Sequence, residues 1–260
     1  MLPGMTFIIN SGGKLPSALR TCASGKPFEM KTAGMIGGLG PESTALYYRE
    51  IVAKYRKPTN DASYPSLFIN SIDMKKVLAL VTAARYAELA AFLSGEVQKL
   101  AAAGASFGFI AANAPHLVFD QVERQSPIPL ISIVRTTCDE AKRMGLHRVG
   151  LIGARFTMQA KFYPEVFSQA GIEIVAPDGE QQEFIHSKYL GELVNGVIVP
   201  ETRERLTRIM RQMVEHEGIE GVILGGTELP LILPEDTADG IPLLDTTKIH
   251  VGEIVRQMLG

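Results

Sequence analysis

The sequence predicts an α/β protein with parallel sheets, and two observations carry this prediction. Short apolar runs bounded by Gly, Pro or Asn recur along the chain, which is typical of strands buried on both faces of a sheet. Helical stretches lie between these runs, so that strands and helices alternate. The 260 residues are enough for one large domain or for two of about 100–130 residues, each with its own core.

The elements follow in order along the chain. The predicted strands are Thr32–Ile36, Ser66–Ile69, Phe107–Ala111, Leu130–Ile133, Arg148–Ile152, Ile172–Ala176, Gly221–Leu224 and Pro242–Leu244. A long Ala- and Leu-rich helix is predicted from Lys75 to Ala103, with a break at Ser94-Gly95. Two further helices are predicted over Thr202–Glu217, which carries an amphipathic face, and over Ile249–Met258.

The chain divides near residues 135–147, with about four predicted strands on each side. We predict a first α/β half from residues 31–135 plus 246–260 and a second from residues 136–245. Similar turns follow a strand in each half, around Ala112 and around Gly226, which suggests that two similar halves face each other across a cleft. Residues 1–30 are rich in Gly and Pro and lack the features of a secretory signal, so we expect a poorly ordered extension there.

Composition argues against several classes of partner. Lys and Arg number 26 against 28 Asp and Glu, and a net charge of −2 offers no surplus to neutralise nucleic acid phosphates. No apolar run approaches the roughly 18 residues of a membrane span. The two cysteines cannot form a disulfide framework, so a cytoplasmic location is expected. No spacing of His, Cys, Asp and Glu suggests a metal site.

The most distinctive motif is the glycine-rich turn in the segment Gly34–Ser43. A strand ends in glycines that allow close approach of a ligand to the backbone, and Pro41-Glu42 then opens a helix. This arrangement suits a carboxylate or phosphate held near Gly38, Leu39 and Ser43; the alternative is a tight structural turn. A dinucleotide site is not indicated, because Ser43 stands where the third glycine of that fingerprint would be.

Several motifs together resemble the aspartate/glutamate racemase superfamily over about residues 31–260. These are Gly34–Ser43, Asn60-Asp61, Tyr64-Pro65, Asn70-Ser71, Asn113…His116, Arg155-Phe156-Thr157-Met158, Phe162-Tyr163, Glu180-Gln181, Ile185-His186, Gly225-Gly226-Thr227-Glu228, Asp245-Thr246 and Ile249-His250. The resemblance implies two pseudo-symmetric Rossmann-like halves, a ligand between them at the carboxyl ends of the strands, and a homodimer. It also implies stereoinversion of an amino acid without pyridoxal phosphate or metal, so no cofactor is expected.

The chemistry of this family explains why two departures matter. A racemase places one proton carrier on each face of the α-carbon, and thiols suit that task near neutral pH. The family supplies them from turns of the form Cys-Asn-Thr-x-His and Gly-Cys-Thr-Glu. Here Ala112 and Gly226 stand at the two cysteine positions, and Ala114 replaces the Thr. Cys22 lies in the extension, and Cys138 is expected to be a small buried residue of a helix.

Other polar residues remain as candidates. His116 and Glu228 are the acid–base candidates, although loop hydrogen bonding and a helix-dipole contact are the plainer alternatives. Asn113 and Thr227 are candidates for binding a carboxylate, with turn stabilisation and helix capping as alternatives. The resemblance adds Asn70 to the substrate pocket. Lys161 is a candidate cation for a side-chain carboxylate, with an exposed helix charge as the alternative, and the motif residues His186 and His250 are interpreted as structural.

Two functions are therefore open. The chain is either a racemase-family enzyme for a small amino or carboxylic acid, or a homologue with altered or lost catalysis that binds a carboxylate ligand. Because Ala112 and Gly226 have small side chains, the cleft is expected to be enlarged, and a substrate bulkier than aspartate is a further option. Either residue could be natural or the product of mutagenesis.

Overall fold

The computed structural model describes residues 30–59 and 63–260. The expected extension up to residue 29, Cys22 and the motif Asn60-Asp61 lie outside these residues. The described chain forms a parallel sheet and a second, mainly parallel sheet, which confirms the predicted α/β class. None of the helices in residues 30–59 and 63–260 combines the length and apolar character of a membrane-spanning segment.

The first sheet has four parallel strands in the order β2-β1-β3-β4. In chain order, the elements of this part are β1 Ala33–Gly37, α1 Pro41–Thr59, β2 Leu67–Ser71, α2 Met74–Thr82, α3 Tyr86–Ala102, β3 Phe107–Ile110, a 3-10 turn Ala114–Val118, α4 Phe119–Gln125 and β4 Leu130–Ile131. Because side chains alternate along a strand, Met35 and Phe109 pack beneath α1, whereas Ile36 and Ile110 pack beneath α2 and α3.

The second sheet has five strands in the order β6-β5-β7-β9-β8, and its β8 strand is antiparallel to β9. Its elements are α5 Ile133–Arg143, β5 Arg148–Ile152, α6 Arg155–Gln159, α7 Phe162–Gln169, β6 Glu173–Val175, α8 Gly179–Gly191, a 3-10 turn Leu193–Asn195, α9 Pro200–Glu217, β7 Gly221–Leu224, α10 Leu229–Ile232, β8 Thr237–Ala238 and β9 Ile241–Asp245. Helices α5 and α7 cover one face of this sheet, and α8 and α9 cover the other.

The last helix, α11 Thr246–Leu259, leaves the second sheet and packs with α1 on the first sheet. Its buried side chains Val251, Ile254 and Met258 join the core formed by Met35 and Phe109. The same helix carries His250, whose ring nitrogens contact the Tyr47 hydroxyl at 2.9 Å and the Ile131 carbonyl at 3.1 Å. The C-terminal segment therefore belongs to the core of the first sheet.

The predicted break of the long helix at Ser94-Gly95 is wrong. The chain turns instead at Ala83–Arg85, where Ala84 takes a positive φ of 51° and the N–H of Arg85 donates to Leu80 O at 2.9 Å. Gly95 lies inside α3 with open space around it, and Ser94 packs on the buried face of the same helix. Packing of α2 and α3 on the same sheet decides the turn, and no local helix breaker marks it.

Candidate functional site

A cavity of about 60 Å³ lies where the turns after β3 and β7 meet. The first turn contributes Ala112 and Asn113, and the second contributes Thr227 and Glu228. The carboxyl ends of parallel strands are the usual place for a ligand in an α/β fold. Most of the remaining wall is apolar, formed by Leu39, Met74, Val77, Leu78, Phe156, Leu190 and Val194.

The glycine-rich turn after β1 forms one rim of the cavity and presents Leu39 to it. Gly38 has a positive φ of 79°, and its N–H donates to the Thr44 hydroxyl at 2.8 Å. A Cβ on Gly38 would lie 2.2 Å from the carbonyl oxygen of Ile72, so backbone would have to move to admit any side chain. The turn thus requires glycine for both conformation and close approach.

We expect Gly38→Ala to lower the free energy of unfolding by about 3 kcal/mol, because it adds a backbone clash to the strain of a positive φ. Gly145→Ala is the matched control, since Gly145 has a φ of 72° and a side chain there would meet nothing within 4 Å. Gly145→Ala should lower the free energy of unfolding by about 1 kcal/mol, because it adds the strain of a positive φ without a clash. Urea unfolding of the two variants measures the difference, and equal losses would show that the contact with Ile72 is unimportant.

A cluster of four polar side chains joins the two halves beside the cavity. The hydroxyl of Ser43, on α1, lies 2.8 Å from the Thr227 hydroxyl and donates to Oε1 of Glu228. The hydroxyl of Tyr189, on α8, donates to Oε2 of Glu228, and that of Thr227 lies 3.1 Å from the same atom. The Glu228 residue is only 2% exposed. Because a buried carboxyl group needs hydrogen bonds in place of water, these hydroxyls stabilise Glu228 in its buried position.

Gly226 does not enlarge the cleft, so the expectation of extra space at this position is wrong. A Cβ built on Gly226 would lie 2.4 Å from Cε2 of Tyr189 and 2.9 Å from its hydroxyl oxygen. The tyrosine ring therefore fills the volume next to the glycine. Ala112, by contrast, does line the cavity, on the side opposite the second turn.

The Asn113 side chain connects the first turn to the second half. Its Oδ1 accepts from the hydroxyl of Tyr163 at 2.7 Å, and its Nδ2 donates to the Thr246 hydroxyl at 3.3 Å. Thr246 in turn donates to the carbonyl of Leu224 at the end of β7. The amide oxygen and one of the two amide hydrogens thus hold the two turns together, which leaves the second amide hydrogen and the backbone N–H for a ligand.

Among the described residues, three backbone N–H groups at the two turns have no hydrogen-bond partner. Within residues 30–59 and 63–260, the N–H groups of Asn113, Gly226 and Thr227 make no hydrogen bond. Because Asn113 and Thr227 line the cavity from opposite turns, their N–H groups are suitable donors for a carboxylate.

His116 is held entirely by backbone groups. Its Nδ1 lies 3.1 Å from the carbonyl of Ala112, and its Nε2 accepts from the N–H of Ile133 at 3.3 Å. Burial, reinforced by the nearby His250, lowers the pKa of His116 to about 3, so the ring is neutral. A neutral ring with both nitrogens occupied is the arrangement of a structural histidine.

The amino-acid sequence of the chain matches a family model described as Asp/Glu/Hydantoin racemase over residues 36–254. The chain belongs to this family. A Yersinia pestis protein assigned to the Asp/Glu racemases is 30% identical, with 89% of this chain and 100% of that chain covered at a TM-score of 0.81. An aspartate racemase homologue from Pyrococcus horikoshii is 34% identical, with 88% and 99% covered at a TM-score of 0.77. The broad specificity amino-acid racemase RacX of Bacillus subtilis is 22% identical over 232 residues, which are 82% of this chain and 92% of RacX.

Within this racemase-family fold, the candidate residues fall into two groups. Leu39, Ala112, Asn113, Thr227 and Glu228 line the cavity, and Gly38, Ser43 and Gly226 adjoin the residues that do. Two others lie elsewhere. Asn70 donates to Glu96 at 2.8 Å on α3, and Lys161 is an exposed residue at the start of α7.

Two further residues take structural places. Cys138 is buried in α5, as predicted, and burial raises the pKa of its thiol. The His186 ring accepts from the N–H of Arg155 at 3.3 Å, which holds α8 against α6. In the described part of the chain, no cluster of His, Cys, Asp and Glu is arranged to hold a metal ion.

Tyr189 is the ionisable cavity residue that sequence reasoning missed, alongside apolar wall residues such as Met74 and Leu190. It follows the Glu180…His186 motif on α8 but carries no pattern of its own. Tyr189 could be found only once the fold is known, because Gly226 leaves a space that another side chain has to fill.

Proposed function

We propose that the protein binds a small amino acid in the cavity between its two halves and does not racemise it, because its described residues offer no proton carrier on one side of the cavity. The observation that carries this proposal is the distribution of ionisable groups. Among the described residues that line the cavity, these groups are Glu228 and Tyr189, which adjoin each other on one side. The side of Ala112 offers no proton carrier, since both ring nitrogens of His116 are occupied. This distribution agrees with the resemblance, which implies cysteines at the positions that Ala112 and Gly226 occupy here.

The polar groups suit the two charges of an amino acid. Oε2 of Glu228 is already contacted by the hydroxyls of Tyr189 and Thr227, but Oε1 has Ser43 as its one donor and keeps a second lone pair. The carboxylate can therefore accept from an ammonium group at Oε1 while it keeps its hydroxyl donors. The free N–H groups of Asn113 and Thr227 can bind the carboxylate. An ammonium beside Glu228 also keeps the ligand carboxylate away from a like charge.

The apolar wall and the size of the cavity favour a small, neutral side chain. No Lys or Arg is among the described residues that line the cavity, so an acidic side chain would have no cation to pair with. A volume of about 60 Å³ holds a handful of water-sized groups, which fits glycine or alanine better than aspartate. The broad specificity in the name of RacX supports a family ligand other than aspartate or glutamate. The homodimer, the cytoplasmic location and independence from cofactors stay predictions.

The experiment is α-proton exchange in D₂O, combined with calorimetric binding. Both enantiomers of alanine, aspartate and glutamate are incubated with the protein and followed by NMR. We expect measurable binding of alanine, weaker binding of aspartate and glutamate, and no exchange above the protein-free rate. Exchange with any of the six compounds would contradict the absence of catalysis, and the absence of binding by all six would contradict the ligand class.

A further inference from the structure

We infer that Tyr189 sets the size of the ligand that this cavity accepts, by occupying the space that a side chain at position 226 would otherwise take. The geometry is direct, because a Cβ on Gly226 would meet Cε2, Cζ and the hydroxyl oxygen of the tyrosine at 2.4, 2.8 and 2.9 Å. Those distances are far inside van der Waals contact. A side chain at 226 and the ring of Tyr189 therefore exclude each other.

The tyrosine is held in place from both ends. At its backbone, Tyr189 belongs to α8, and Ile185 of this helix is buried in the core of the second half. At the other end, its hydroxyl donates to Oε2 of Glu228. Burial, together with the charge of Glu228, raises the pKa of Tyr189 well above its ordinary value. The hydroxyl thus stays protonated as a donor at neutral pH, and the ring is fixed at the cavity wall.

The position of the ring determines the consequence for ligands. Tyr189 lines the cavity beside Leu190 and Val194, so shortening it would join its volume to the cavity. The added space would be bounded by apolar groups except at Glu228, where the tyrosine hydroxyl now ends, and it would accept a longer neutral side chain such as that of leucine. This specificity role rests on the proposed function, whereas the packing of Tyr189 against Gly226 does not.

The packing is tested without ligand by thermal unfolding. Gly226→Ala should lower Tm by about 5 °C in the wild type and in Tyr189→Phe, which keeps the ring, because overpacking is costly in both. In Tyr189→Ala the same change should cost about 1 °C or less, since the collision is gone. Recovery of folded Gly226→Ala protein only in the Tyr189→Ala background would support the assignment equally. Similar losses in all three backgrounds, or recovery in none, would overturn it.

The specificity is tested by calorimetric titration with alanine and leucine. The ratio of the two affinities should shift at least about tenfold toward leucine in Tyr189→Ala, which corresponds to a modest gain of apolar contact. Tyr189→Phe should keep the size preference of the wild type. An unchanged ratio in Tyr189→Ala would overturn the specificity role. If the wild type and both variants bind neither compound, the specificity role and the proposed function both fail, while the unfolding measurements still decide the packing.

Discussion

Lowering the pH from 6 to 5 is expected to reduce the free energy of unfolding by about 2 kcal/mol, because two buried histidines stay neutral in the folded protein. His116 and His250 each have both ring nitrogens within hydrogen-bonding distance of groups of the fold. Burial is the main cause that lowers the pKa of each ring to about 3. Neither ring can take up a second proton without losing an acceptor role, at Ile133 N–H or at the Tyr47 hydroxyl.

The sign follows from proton binding. In the unfolded chain, histidine titrates near its ordinary pKa of about 6.5, so between that pH and about 3 the unfolded state binds more protons. The stabilisation is complete above pH 6.5 and is lost progressively as the pH falls toward 3. Each ring contributes a loss of about 1.4 kcal/mol per pH unit once the unfolded histidine is fully protonated.

Urea unfolding at pH 8, 7, 6 and 5 measures this dependence. His250→Gln removes one of the two titrating rings and should halve the slope between pH 6 and 5, whatever its effect on stability at pH 8. His216→Asn is the matched control, because His216 is exposed on α9 and should leave the slope unchanged. A wild-type stability that is constant from pH 8 to 5 would contradict the neutral buried state of both rings.

The affinity for alanine should fall about 30- to 150-fold in Glu228→Gln, if Glu228 binds the ammonium group of the ligand. A hydrogen bond between two charged partners in a buried site is worth about 2–3 kcal/mol, and glutamine keeps the shape while it removes the charge. Propionate lacks the amine, so its affinity should not fall in the variant. The contrast between these two ligands separates loss of the charge contact from general damage to the cavity.

Isothermal titration with both ligands measures the effect, and the thermal unfolding midpoint of the variant checks that it folds. Glu204→Gln serves as the control, since Glu204 is an exposed acid of α9 outside the cavity. It should bind alanine as the wild type does. Equal losses for alanine and propionate in Glu228→Gln would show that Glu228 shapes the site without binding the amine.

The strands were the most predictable part of the fold. The boundaries of β5 and β7 agree with the predicted Arg148–Ile152 and Gly221–Leu224, because strands buried on both faces are continuous apolar runs with abrupt polar ends. The short antiparallel β8 at Thr237–Ala238 was not predicted. A strand of two residues is too short to show the alternation of apolar and polar residues from which a strand is predicted.

The candidate site was predictable only in part, and Asn113 shows why. Its place at the end of β3 follows from the motif, and the structure puts it at the cavity. Its amide oxygen, however, accepts from Tyr163 and one amide hydrogen is donated to Thr246, so most of the side chain is used within the fold, while the backbone N–H makes no hydrogen bond in the described residues. A motif can place a residue at a strand end, but it does not reveal which partners its side chain finds there.

The sequence by itself determined the alternating α/β architecture and the family, because both depend on apolar runs and turn residues that are written locally along the chain. Only the tertiary structure decided the chemistry of the cavity. It sealed His116 against the N–H of Ile133, gathered Ser43 and Tyr189 around Glu228, and filled the space beside Gly226 with an aromatic ring. The contact of His116 joins nearby parts of the chain, whereas the contacts of Glu228 and Gly226 join residues far apart in the sequence. Packing between such distant residues leaves no periodic pattern in the sequence.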